Sequence, residues 1–267
     1  MTKTILITGS TDGIGKLAAQ KLAEDGHRIY LHGRSQEKLS KVIAEIKAAS
    51  NNENISGFVA DFSSLDAVRQ MAEAVNKELK KIDVLINNAG VFNSKASQNK
   101  DGHDLRFVVN YFAPYLLSSS LIPLLEKSEA ARLINVSSAA QVRVSHEAML
   151  GQAQLPTKMS YAQSKLALTM WSFHLALKLP NISVIPVNPG SLLNTNMVRE
   201  AFGHFWSSAD KGGNILYDLA VSESYAGVSG KYFDNDQGAF GKAHADAYDS
   251  AAIEELIEAT DQLLLKY

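Results

Sequence analysis

The chain has 267 residues, 46% of them hydrophobic and 20% charged, with a formal net charge of −2. That length suits one large α/β domain or two smaller ones, with enough chain to bury a sizeable core. The near-neutral balance offers no global basic field to nucleic acid or an anionic membrane, and the absence of cysteine excludes disulfides, thiolate metal sites and cysteine nucleophiles. No signal peptide is expected ahead of the first strand-like segment. No apolar run is expected to reach the ~20 residues of a membrane span, and the expected location is cytoplasmic.

Short β-rich apolar runs alternate with longer helical patterns. Residues 4–8 read as a strand. Ile14, Leu17, Ala18 and Leu22 then recur at helical spacing over 14–24, and Gly26 stops that helix. A strand is predicted at 27–32, a helix at 36–49, a strand at 55–60, a helix at 65–79 and a strand at 83–87. A long helix with an irregularity at Pro114 fills 102–126. A fifth strand follows at 132–136, a helix at 160–179 and a sixth strand at 182–187. A last short strand is predicted at 231–233, with a helix at 251–265. Such alternation argues for βαβ units and a parallel sheet with helices on both faces. The near-continuous apolar strands agree, because both of their faces must be covered. Residues 1–267 are expected to form one domain. The stretches 139–160 and 191–213 fit the alternation poorly and are expected to be variable substrate-side loops.

"TGSTDGIG" follows the first strand directly. Gly9 permits a tight turn, Gly13 lets backbone approach a pyrophosphate, and Gly15 permits close helix–strand packing. A helix starting near Ile14 would aim free N–H groups and its positive dipole end at phosphates. A turn that merely tolerates glycine is the other reading.

Four further stretches carry chemistry. In "SYAQSK", Tyr161 and Lys165 share a helix face. An ammonium beside a phenol favours the phenolate and suits proton exchange with an alcohol oxygen; a plain surface pair is the alternative. In "LINVSS", Ser137 and Ser138 follow a strand at the edge where open α/β sheets bind ligands; either could instead cap a turn. "VLINNAG" ends the fourth strand with residues able to pack against a flat ring, or with an Asx turn. "FVVNYF" buries Asn110 in an apolar helix, where it needs partners and could hold open an irregularity and a water.

Together, Thr8-Gly9-x-x-x-Gly13-Ile14-Gly15, Asn87-Asn88-Ala89-Gly90, Asn110, Ser138, Tyr161-x-x-x-Lys165 and Pro189-Gly190 resemble the motif series of the short-chain dehydrogenase/reductase family. "DGHDLRFVVNYFAPYLLSSSLIPLL", "ARLINVSSAA" and "SGKYF" resemble its retinol-dehydrogenase-like branch. The resemblance implies a single-domain Rossmann fold with a doubly wound, parallel, seven-stranded sheet. It implies a catalytic tetrad in which Tyr161 is the general acid/base and Lys165 lowers its pKa and holds the nicotinamide ribose. Ser138 would polarise the substrate oxygen, and Asn110 would hold a water linking Lys165 to solvent.

For the cofactor, the resemblance implies contacts from Gly9, Ser10, Asp12, Gly13, Ile14, Gly15, Asp61, Phe62, Asn88, Ala89, Gly90, Tyr161, Lys165, Pro189 and Gly190. Thr195 is expected at the carboxamide, although Asn194 stands at the family's usual spacing. "HGRS" puts Gly33 where NAD-preferring members carry an acid, and Arg34 can bind a 2′-phosphate. NADP(H) is therefore expected over NAD, with Asp12 cutting the other way, since that position is often basic in NADP-binding members. The expected substrate is a hydrophobic aldehyde, ketone or alcohol; Leu192, Leu193, Met197, Val198, Phe202, Phe205 and Trp206, with Phe92, either wall it or pack on the protein's own core. No nucleic-acid or membrane partner is expected, and relatives suggest a homodimer or tetramer. The rival reading is a non-catalytic NADP-binding regulator on the same fold.

Overall fold

The computed structural model describes residues 2–267. Its strands are β1 (Thr4–Ile7), β2 (Arg28–Gly33), β3 (Ile55–Val59), β4 (Val84–Asn87), β5 (Ala131–Val136), β6 (Ile182–Asn188), β7 (Tyr232–Asp234) and β8 (Ala239–Gly241). They form one sheet in the order β3-β2-β1-β4-β5-β6-β7-β8. β1 to β7 are parallel, and β8 returns antiparallel on β7. The predicted seven-stranded sheet is thus eight-stranded. The extra strand belongs to a short hairpin whose Gly238 has φ +68°, too short to leave a period-2 pattern.

Strand side chains alternate between the faces. Ile5, Ile7, Val84, Ile86, Ile134 and Val136 pack against α1 (Gly13–Glu24), α2 (Gln36–Ser50) and α9 (Ala209–Val221). Leu6, Leu85, Leu133 and Val184 pack on the other face, against α3 (Leu65–Glu78), α5 (Ala113–Leu125), α7 (Thr157–Lys178) and α10 (Ser250–Leu264). The strand order reverses between β1 and β4, and a crevice opens beyond the carboxyl ends of strands at such a point. The glycine turn and the Asn88-Ala89-Gly90 stretch lie there.

The long helix is interrupted as expected, just ahead of Pro114. A one-turn α4 (Leu105–Phe107) leads into a π-helical turn, Val108–Phe112, centred on Asn110. Pro114 has no N–H, so the Asn110 carbonyl loses its ordinary α-helical donor. This run, Leu105–Leu125, is long and apolar enough by length and composition to cross a membrane, contrary to the sequence reading. Most of it is buried, with Phe107, Tyr111, Phe112, Leu117 and Leu121 in the core.

The stretch 191–213 is not a plain loop. It contains α8 (Asn196–Phe202) and the first turns of α9, which continues to Val221 and had no counterpart in the predicted elements. Gly212 and Gly213 mask that helix in sequence, since glycine disfavours helices. They are needed for contact: a Cβ on Gly213 would sit 2.7 Å from Leu17 Cβ, and one on Gly212 2.7 Å from Ile14 Cγ2. The stretch 139–160 holds a single turn, α6 (His146–Met149), and the start of α7.

Candidate active site

Gly9 and Gly13 adopt φ +62° and +54°, conformations that other residues rarely hold. A Cβ on Gly9 would approach Ala89 Cα to 2.6 Å, and one on Gly15 would overlap Asn88 Nδ2. The turn is pressed against the end of β4 and stitched to it. Thr8 Oγ1 accepts from the Asn88 and Ala89 N–H groups, both at 3.0 Å. Asn88 Nδ2 donates to the Thr8 and Gly9 carbonyls, both at 2.9 Å. Asp12 caps α1 through Oδ1, which accepts from Gly13 N at 2.8 Å. The first turn of a helix leaves N–H groups without helical acceptors, and Ile14 and Gly15 carry them here.

The basic residues near the turn lie just after β2. Arg34 is exposed, Ser35 caps α2, and Lys38 Nζ sits 3.1 Å from Asp12 Oδ2. That oxygen also accepts from Asn196 Nδ2 of α8 at 2.7 Å. Burial opposes ionisation of Asp12, but the bonds from Asn196, Lys38 and Gly13 outweigh it and hold its pKa below the usual carboxylate value. Its charge is therefore already matched by Lys38 rather than facing a phosphate alone. Asp61 is exposed and accepts from Ser63 N at 2.9 Å, while Ser64, not Asp61, caps α3.

Three predicted contact residues turn their side chains inward. Ser10 Oγ donates to the Ile7 carbonyl at 2.8 Å, Phe62 is buried against His32, and the Asn88 amide is consumed by the turn. These side chains shape the crevice from behind.

At the other end stand the four predicted catalytic side chains. Ser137 Oγ donates to the Lys165 carbonyl at 3.0 Å, which ties β5 to α7 and leaves Ser138 toward the crevice. The Ser138 carbonyl is pinned by Tyr232 Oη at 3.0 Å and Gln141 Nε2 at 2.9 Å. Burial pushes the Tyr161 phenol up, and the Ser138 hydroxyl facing it pulls it back. Lys165 Nζ lies 5.7 Å from the Tyr161 ring centre and donates to the Val136 carbonyl at 2.7 Å. Burial lowers its pKa to about 7. Burial thus disfavours the charged form of Lys165, and the Ser138 hydroxyl is the group that pulls the Tyr161 phenol down.

Asn110 Oδ1 accepts from Val91 N at 2.8 Å, and its Nδ2 donates to the Val91 carbonyl and Ser164 Oγ, both at 3.0 Å. It fixes the strand end bearing Gly90, where an added Cβ would lie 3.4 Å from Asn110 Oδ1 and 3.6 Å from Lys165 Nζ. Phe92 packs on Tyr161 with ring centres 4.9 Å apart, and Phe202 of α8 packs on Phe92 at 5.1 Å. Pro189 accepts from Asn235 Nδ2 at 2.8 Å through its carbonyl, and Gly190 turns with φ +123°. Thr195 caps α8, and its Cγ2 would lie 3.6 Å from a Cβ added at Gly13, whereas Asn194 turns away to accept from Arg199 Nε at 2.8 Å. The donor set fits a dinucleotide: free helix N–H groups and glycine backbone midway, cations at the β2 end, and Gly90, Lys165 and Tyr161 at the other.

The family model described as short chain dehydrogenase matches residues 3–204. The chain belongs to the short-chain dehydrogenase family. Human retinol dehydrogenase 13 is 32% identical over 252 residues, covering 87% of this chain and 76% of that protein. A short-chain dehydrogenase structure from Shigella flexneri 2a complexed with NADP superposes with a TM-score of 0.71 at 27% identity, covering 88% of this chain and 97% of that one. A short-chain dehydrogenase structure from Escherichia coli CFT073 complexed with NADPH gives a TM-score of 0.72 at 26% identity, with 87% and 96% covered. Within the short-chain dehydrogenases, this chain lies on the retinol-dehydrogenase-like branch. Membership implies an oxidoreductase with a small-molecule substrate.

Sequence reasoning missed His32, whose ring joins the glycine turn to the end of β3. Its only signal was a lone polar residue at the inward end of an apolar strand.

Proposed function

We propose that the protein is an NADP(H)-dependent oxidoreductase that interconverts a carbonyl and an alcohol on a hydrophobic small molecule. The observation that carries this reading is the convergence of Tyr161, Ser138, Lys165 and Gly90 at the end of a phosphate-compatible turn, roofed by Phe92 and Phe202. When bound, the nicotinamide supplies or takes the hydride. Gly9, Gly13, Ile14 and Gly15 hold the pyrophosphate with backbone groups. Arg34 holds the 2′-phosphate, with Asp61 beside the adenine, and Thr195, Pro189 and Gly190 line the carboxamide side. The NADP and NADPH in the two bacterial relatives support the same preference, as does the pairing of Asp12 with Lys38.

In reduction, Tyr161 gives its phenolic proton to the substrate oxygen as charge develops there. Ser138 donates a hydrogen bond to that oxygen and holds it against Tyr161. Lys165, when protonated, stabilises the phenolate left behind. The amide of Asn110 is already used by Val91 and Ser164, so a water linking Lys165 to solvent would sit at the Asn110 main-chain carbonyl, whose ordinary helical donor Pro114 removes; through it Lys165 would regain the proton that it passes to the Tyr161 phenolate. α8 buries none of its own residues and exposes Met197 and Phe202, with Phe205 and Trp206 just beyond. This apolar rim beside Tyr161 favours a hydrophobic substrate. A panel of hydrophobic aldehydes, ketones and secondary alcohols, followed by NADPH absorbance, tests the substrate class. Turnover confined to small charged carbonyls would reject it.

A further inference from the structure

His32 is the most enclosed histidine of the chain, 3% exposed, and no step above uses it. Its ring lies among the three strand ends that border the adenosine half of the crevice. Nδ1 accepts from Gly9 N at 3.0 Å, and Nε2 is 3.0 Å from the Ala60 carbonyl. An N–H on one side and a carbonyl on the other select a single form, neutral with the proton on Nε2. Burial keeps the ring neutral, with its pKa lowered to about 4. The ring also stacks on Phe62, with centres 4.1 Å apart. The backbone of the same residue is tied to the turn twice more: Ser10 N donates to the His32 carbonyl at 3.0 Å, and His32 N donates to Ser10 Oγ at 3.0 Å.

We infer that His32 is a positioning residue for the adenosine half of the cofactor, a cross-brace that sets the spacing between the glycine turn and the Asp61–Phe62 corner. The inference rests on the NADP(H) reading. Gly9 sits at a positive φ and starts the turn that meets the pyrophosphate. Ala60 and Phe62 flank Asp61, the expected adenine contact. Without the imidazole, the half-buried Gly9 N–H loses its acceptor, and the end of β3 loses both a hydrogen bond and a stacked ring. The turn and the Asp61 corner then shift independently, and the ligand must order them on binding.

The test is the binding of 2′,5′-ADP by calorimetry and of NADPH by fluorescence, for wild type, His32→Leu and His32→Asn, with folding checked by circular dichroism. Leucine removes both polar contacts, whereas the Asn Oδ1 stands where Nδ1 accepts from Gly9. His32→Leu is expected to weaken both ligands roughly tenfold or more, because both hydrogen bonds of the brace are lost. His32→Asn is expected to recover part of that loss, and kcat at saturating NADPH is expected to stay within about twofold of wild type in both variants. A purely structural role would lower the melting temperature and leave the Kd of the folded fraction unchanged, and that result overturns the inference. If His32→Leu does not fold, His32→Asn decides alone: a several-fold rise in the 2′,5′-ADP Kd supports the brace, and an unchanged Kd overturns it. Wild-type protein that binds neither ligand rejects the cofactor reading and this inference with it, whereas wild-type binding with unchanged variants rejects only the role of His32.

Discussion

Replacing Asn88 by alanine removes the bonds that Nδ2 donates to the Thr8 and Gly9 carbonyls, each 2.9 Å long. Two lost bonds to partly buried carbonyls cost about 2–3 kcal/mol. Replacing Gly15 by alanine drives a Cβ into Asn88 Nδ2 and to 2.9 Å from the Gly9 carbonyl oxygen, an overpacking cost of about 1–3 kcal/mol. The two changes meet at one atom. In the double variant the amide is gone, so the new methyl meets only the Gly9 carbonyl. The double variant is therefore expected to lose at least about 1 kcal/mol less than the sum of the singles. Urea unfolding of all four proteins, followed by circular dichroism, measures this. Additivity within about 0.5 kcal/mol would refute the claim that Asn88 fills the space which Gly15 leaves.

Gly213→Ala is expected to destabilise despite a helix-propensity gain of about 1 kcal/mol, because the new methyl would lie 2.7 Å from Leu17 Cβ; a raised melting temperature would contradict the packing account of α9. Lys165 has its pKa lowered from 10.5 to about 7 in the folded chain. Between those values the unfolded chain binds more protons at this site, so its contribution makes stability rise with pH. Lys165→Met should therefore flatten the rise in urea midpoint between pH 7 and 9, and an unchanged slope would be evidence against the burial argument. Arg34→Ala is expected to lower kcat/KM for NADPH roughly 10–100-fold, the loss of a charge-assisted phosphate contact, and to leave NADH unaffected. An equal loss with both cofactors would remove Arg34 from the 2′-phosphate site.

The parallel sheet was legible because each strand is an apolar run whose two faces feed separate layers: Ile5 and Ile7 join α1 and α9, while Leu6 joins α3 and α5. The glycine turn was legible because its spacing reflects the positive φ at Gly9 and Gly13. α9 was hidden by Gly212 and Gly213, whose role exists only once α1 is packed beside them. Short α8 and β8 carry too few residues for a period to emerge. The inward turn of Ser10, Phe62 and Asn88 was equally invisible, since a motif says which residues gather at a site and not which way each side chain faces. The low pKa of Lys165 arises from burial under β5 and α7, and charge type alone does not report burial.

The central claim is that Tyr161 carries the proton in an NADP(H)-dependent carbonyl–alcohol conversion. Tyr161→Phe, assayed for NADPH Kd and for kcat on the best substrate of the panel, tests it most directly. The account predicts a fall in kcat of roughly 10²–10⁴-fold with NADPH affinity within about threefold of wild type, since the phenol meets the substrate oxygen and the phosphates bind elsewhere. Turnover retained by Tyr161→Phe, with the same pH profile as wild type, would contradict it.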